Sequence, residues 1–184
     1  MFENDYTLTG KHANHLKYLA VKNAKDKDND SDASSSAKIF ERYIDVYMNA
    51  AIWGLLYSRT EPKDTSSDDR ARIYADAFAT ERNNCVFLYR MVMLLDTSTD
   101  LDSTERINRA FRYDSDESKA AELQQNLELF NSYVRGGIEQ LYETFTDGCT
   151  TRDDYMTKIY EVMSDFKNEL EGRSYDEELK KLLQ

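Results

Sequence analysis

The sequence predicts an all-α fold: a single-domain helical bundle, residues 1–184, of about six or seven helices around a largely buried central helix at 37–59. Three observations carry this expectation. Seven stretches space their apolar residues at helical intervals and cover most of the chain. One proline, Pro62, and six glycines occur in 184 residues, so the residues that end helices and shape hairpins are scarce. No window sustains the alternation of a half-buried strand.

The first helix is expected from Thr9, its N-cap, to about Val21, with Ala13, Leu16 and Ala20 on one face. Residues 25–36, KDKDNDSDASSS, read as a mobile acidic and serine-rich loop. The helix Ala37–Arg59 carries Phe40, Ile44, Tyr47, Ala51 and Leu55 on one stripe and Ala50, Trp53 and Tyr57 opposite, which places it centrally. Pro62 and a polar run break the chain. Ser67 then caps a long third helix with the stripe Ile73, Ala77, Thr80, Asn84, Leu88, Met91 and Leu95, where Asn84 is either a buried register-fixing residue or half-exposed.

A capping-box pattern, Asp102 with Glu105, or Ser103, opens a short fourth helix ending near Tyr113. A fifth, about Glu117–Phe145, aligns Leu123, Leu127, Phe130, Val134, Ile138, Leu141 and Phe145, and Gly148 ends that segment. The sixth, Thr151–Glu171, aligns Tyr155, Ile159, Val162, Phe166 and Leu170. Ser174 opens a terminal helix at 174–184, whose Tyr175, Leu179, Leu182 and Leu183 make it a candidate docking element.

Composition excludes several classes. With 24 basic and 35 acidic residues the formal charge is −11, which repels nucleic acid and anionic membrane unless cations gather on one face. The apolar fraction of 40% and charged fraction of 32% describe a folded, acidic protein rather than a disordered chain. Two isolated cysteines, Cys85 and Cys149, and no signal-peptide pattern fit a cytoplasmic protein, and no apolar run reaches the ~20 residues of a membrane span.

No nucleotide-binding, nucleophile-elbow or CxxC motif occurs, so no catalytic, cofactor-binding or metal residues are assigned and no cofactor is expected. Asp26, Asp28, Asp30 and Asp32 lack the Gly and the bidentate Glu of a calcium loop. His12 and His15 share a helix face but want further ligands, and they read as surface or cap residues.

Two features remain. At about 100° per residue, Arg106, Arg109 and Arg112 spread over an arc of about 120°, with Tyr113 beside them and Ile107 and Phe111 directed to the core. This is a candidate surface for an anion or a partner, with neutralisation by nearby acids as the alternative. Arg135-Gly136-Gly137 interrupts a strong helix at a cost of about 1 kcal/mol per glycine. Close packing against another helix near Gly54, a kink, or a ligand beside Arg135 would each account for it. The chain is therefore read as a cytoplasmic protein–protein interaction or accessory subunit without catalysis of its own, with a homodimer compatible. The alternative is a nucleic-acid-related module: an acidic DNA mimic, or a backbone contact through the arginine face, for example in a bacterial DNA-modification or phage-defence system. An enzyme of unrecognised type is the third reading.

Overall fold

The computed structural model describes residues 1–20 and 39–171. The acidic loop at 25–36 and the terminal helix with Tyr175, Leu179, Leu182 and Leu183 lie outside the described residues. Among those described, the chain is mostly helical, with seven α-helices and one two-stranded sheet. In order these are β1 (Tyr6–Thr9), α1 (Gly10–Leu19), α2 (Tyr43–Leu56), β2 (Arg70–Ile73), α3 (Ala75–Thr80), α4 (Arg82–Leu95), α5 (Ser103–Phe111), α6 (Ala120–Thr146) and α7 (Arg152–Glu171). Contacts divide the chain into two compact units, Met1–Thr144 and Phe145–Gln184. No described helix is long and apolar enough to cross a membrane.

The central helix is α2. Its Tyr43, Ile44, Val46, Tyr47, Ala50, Ala51 and Gly54 are all buried, while Leu56 and Tyr57 at its end are exposed. Helix α6 joins it at the centre, since every residue from 133 to 139 is buried. The expected stripe Phe130, Val134, Ile138 and Leu141 lies in the core. In the second unit, α7 spans the expected range; its Tyr155, Ile159 and Val162 are half-buried, and Met156, Tyr160, Met163 and Phe166 are exposed.

Three expectations need correction. The first is the absence of strands: β1 pairs antiparallel with β2, Leu8 opposite Ala71 and Tyr6 opposite Ile73. Buried Ala71 and Ile73 alternate with exposed Arg70 and Arg72, so the strand signature is present but only four residues long. The second is the long helix from Ser67. Residues 70–73 are strand, and the helical part breaks at Glu81 into α3 and α4. The core face of α4 is Cys85, Leu88, Tyr89, Val92 and Met93, whereas Asn84 is exposed and bonded to Glu81 at 2.8 Å. Third, Ile107 and Phe111 do not enter the core; they are 44% and 45% exposed.

The turn into α1 is made by Gly10, whose φ of +59° favours a residue without a Cβ. Thr9 holds the N-cap position, but its hydroxyl donates to the Asp64 carbonyl, and the Asp64 carboxylate takes the Lys11 amide at 2.6 Å. The cap is thus supplied from a segment 53 residues away. Packed aromatic rings contribute to the core; Tyr47 alone meets Tyr6, Phe78 and Phe130 edge to face.

Gly136 and Gly137 carry a packing role, the first of the three accounts given above. A Cβ at Gly137 would fall on the Ala50 carbonyl, one at Gly54 on the Tyr133 carbonyl, and one at Gly136 on the Arg59 carbonyl. The two helices touch through backbone. Gly137→Ala is expected to destabilise the protein by about 3 kcal/mol or more, because backbone rather than a side chain must move. Gly148→Ala, at φ +74° with no atom within 4 Å of the new Cβ, should cost only about 1 kcal/mol. Urea unfolding of the two variants checks both.

Candidate functional site

The arginine face is inverted. Asp102 caps α5 by accepting the Glu105 amide at 2.8 Å, as the sequence indicated, yet the rotation this fixes sends Arg106 and Arg109 inward. Arg106 donates to the carbonyls of Leu101 (3.0 Å), Leu94 (3.3 Å) and Asp96, closing the C-terminal end of α4. Arg109, 4% exposed, donates to the Met93 carbonyl at 2.8 Å and to the Asp96 carboxylate at 3.0 Å. Only Arg112 is exposed, held by Asn108 at 2.8 Å, and the Tyr113 hydroxyl donates to Glu105. The neutralising acid is Asp96, at the end of another helix, and not the local acids of the alternative reading.

Asp96 is fully buried and saturated. Tyr133 of α6 donates at 2.6 Å, the Ser98 hydroxyl at 2.6 Å and the Ser98 amide at 3.0 Å, besides Arg109. Burial pushes this carboxyl up, but the bonds from Ser98, Tyr133 and Arg109 outweigh burial and hold it at about 2.

Arg135 is also buried, with a bond from each of its three nitrogens. It donates to the Glu61 carbonyl at 2.8 Å, the Tyr6 hydroxyl at 3.2 Å and Glu128 at 2.8 Å. All three of its nitrogens are engaged within the protein and its charge is paired with Glu128, which disfavours the ligand account of the glycine pair.

One turn along α6 lies a second buried polar cluster that local sequence reasoning missed. His12 is wholly buried and Glu139 is 5% exposed, which corrects the reading of His12 as a surface residue. Glu139 Oε1 lies 3.1 Å from His12 Nε2 and also meets the Lys11 ammonium, while Oε2 accepts from Arg59 at 2.7 Å. Lys11 is 3.6 Å from Glu61, and Arg59 further engages Glu143 at 2.6 Å. Burial pushes His12 down to about 4 against the pull of Glu139, so the imidazole is neutral at pH 7. Burial raises Glu139, but Lys11, His12 and Arg59 together bring it below the ordinary range. His15 departs from the pair and stacks on Tyr142, ring centroids 3.9 Å apart. The one available sequence signal was Glu139 itself, a charge set between the apolar positions Ile138 and Leu141 just after the glycine pair.

The third feature is apolar. Val86, Phe87, Met91, Leu94 and Leu95 of α4, with Phe111 of α5, line an open groove of about 760 Å³. Phe87 is 66% exposed and Leu95 58%. Arg90 lies 5.2 Å over the Phe111 ring and pairs with Asp114 at 3.3 Å on the rim. Met91, Leu95 and Phe111, all assigned to the core by spacing, belong to this groove.

Comparison with known protein families, with curated proteins and with solved structures finds no match to this chain.

Asp96 gives a pH test. Its folded value of about 2 lies below the ordinary 3.8, so its contribution is full above pH 3.8 and is lost as pH falls through 2. At 1.36 kcal/mol per unit this is about 2 kcal/mol, lost between pH 4 and pH 2. Asp96→Asn should abolish that step and, by stranding Arg109, cost about 3–5 kcal/mol at pH 7. Arg112→Glu should leave stability within about 0.5 kcal/mol. Denaturant unfolding across pH reads all three.

Proposed function

We propose that this chain is a protein–protein interaction subunit that receives an amphipathic helix of a partner protein in the α4–α5 groove. The observation that carries the reading is the open groove along α4 in which the large apolar side chains Phe87, Leu95 and Phe111 are exposed. Large exposed apolar patches on a folded protein mark interaction sites. The groove follows α4, whose 14 residues at about 1.5 Å each extend about 21 Å. That length matches a partner helix presenting anchors at i, i+3 or i+4, and i+7. Arg82 and Arg90 line the groove with one acid, Asp114, so a partner helix carrying carboxylates beside its apolar anchors suits this surface.

The nucleic-acid alternative is less well supported. The arginines that motivated backbone contact are engaged internally, Arg106 with carbonyls and Arg109 with Asp96. The proposed docking segment at 174–184 lies outside the described residues.

A photo-crosslinking residue at position 87 provides the test in the native host. The reading predicts crosslinks to one partner, mapping to an amphipathic helical peptide, and their loss in Leu95→Asp with unfolding temperature unchanged. Crosslinks to peptides of the chain's own 172–184 segment would make the groove an intramolecular seat. Crosslinks scattered over unrelated proteins would contradict a dedicated partner.

A further inference from the structure

The buried cluster on α1 and α6 has an unmet need that its ion pairs do not fill. Neutral imidazole carries one donor and one acceptor, and a buried polar atom without a partner costs about 1–3 kcal/mol. Both ring nitrogens of His12 are buried without a hydrogen-bond partner, although Nε2 stands 3.1 Å from Glu139 Oε1. The pair is at contact distance but wrongly aligned for a hydrogen bond. Two buried acceptor atoms this close, one nitrogen and one oxygen, can be satisfied together by a shared cation.

The geometry points to a site for a divalent first-row metal ion of the zinc class, held by His12, Glu61 and Glu139 and entering where the Lys11 ammonium now sits. One donor atom from each of the three residues lies within 4.8 Å of the other two. Bonds of about 2.0–2.2 Å in tetrahedral geometry set donors about 3.4 Å apart. The His12–Glu139 edge at 3.1 Å therefore needs almost no adjustment, and Glu61, 25% exposed, has the freedom to close in. A mixed nitrogen and carboxylate set suits zinc and its neighbours over calcium or magnesium, which prefer oxygen alone. Three protein ligands leave a fourth position for water.

The surrounding groups suit this role. Arg59 holds Glu139 by Oε2 at 2.7 Å, leaving Oε1 for the ion, and Arg135 fixes the Glu61 backbone through its carbonyl at 2.8 Å. Lys11 bridges Glu139 and Glu61 with its ammonium while its side chain is 47% exposed. It is an internal cation that can swing into water when a divalent ion replaces it.

The test is titration of the full chain with Co²⁺, followed by its visible absorption, and with Zn²⁺ by calorimetry. Wild type should bind one ion per chain. His12→Asn and Glu61→Gln should each weaken binding by about a hundredfold or more, since even outer-shell partners of metal ligands act on a scale of 10–100-fold. Glu61→Gln removes a partly exposed ligand, so it remains informative should His12→Asn fail to fold. Lys11→Met should tighten binding about tenfold, because the competing ammonium is gone. No one-to-one binding by wild type, or undiminished binding in Glu61→Gln with its fold intact, would overturn the site. Affinity unchanged or lower in Lys11→Met would overturn the exchange of ammonium for metal. The outcome is independent of whether the α4–α5 groove takes a partner.

Discussion

Three glycines bring α6 backbone to backbone with α2 and with the residues just after it, and that approach sets where the buried polar groups of α6 stand. Gly54 faces the Tyr133 carbonyl, Gly137 the Ala50 carbonyl and Gly136 the Arg59 carbonyl. At such proximity neither helix can rotate without driving a side chain into its neighbour's peptide plane. The glycines forgo about 1 kcal/mol each of helix propensity, and the surrounding packing of Tyr47, Phe130, Val134 and Ile138 offsets it. The register is reinforced by Tyr47 donating to Asn131 at 2.9 Å and by the Glu61 amide donating to the Ser132 carbonyl at 3.0 Å.

With the rotation of α6 fixed, seven consecutive residues send polar groups in three directions. Tyr133 reaches Asp96 and through it Arg109, tying α6 to the junction of α4 and α5. Arg135 reaches the segment after α2 and the first strand, through Glu61 and Tyr6. Glu139 reaches α1, through Lys11 and His12. Buried ions of this kind are costly unless paired, and in the first two sets each charge meets an opposite charge, Arg109 with Asp96 and Arg135 with Glu128. The third differs, for the His12 nitrogens remain unmet. The departure from full pairing singles out that cluster as a place for chemistry rather than for stability alone.

Much of the fold was legible because long helices write their period into the sequence. The stripe of α2 identified the central helix and that of α6 its buried face, while close packing near Gly54 was one of three accounts open for the glycine pair. What was not legible depends on residues far apart in sequence. Four-residue strands at 6–9 and 70–73 are too short for alternation to register. Arg109 was read as surface because its partner, Asp96, terminates a different helix, and an amphipathic reading of α5 alone then placed Ile107 and Phe111 inside. His12 and Glu139 are 127 positions apart, and nothing near either residue announces the other. Met91 and Leu95 follow helical spacing, but spacing cannot separate a core face from an open groove.

Hydrogen exchange of individual amides in the native protein tests the central claim most directly. If the glycine contact is the constraint on which the unit depends, amides at 50–54 of α2 and 133–139 of α6 exchange slowest, with one shared opening free energy, and those of α1 and α5 open before them. Amides on the two helices opening independently, or exchanging faster than those of α1 and α5, would contradict it.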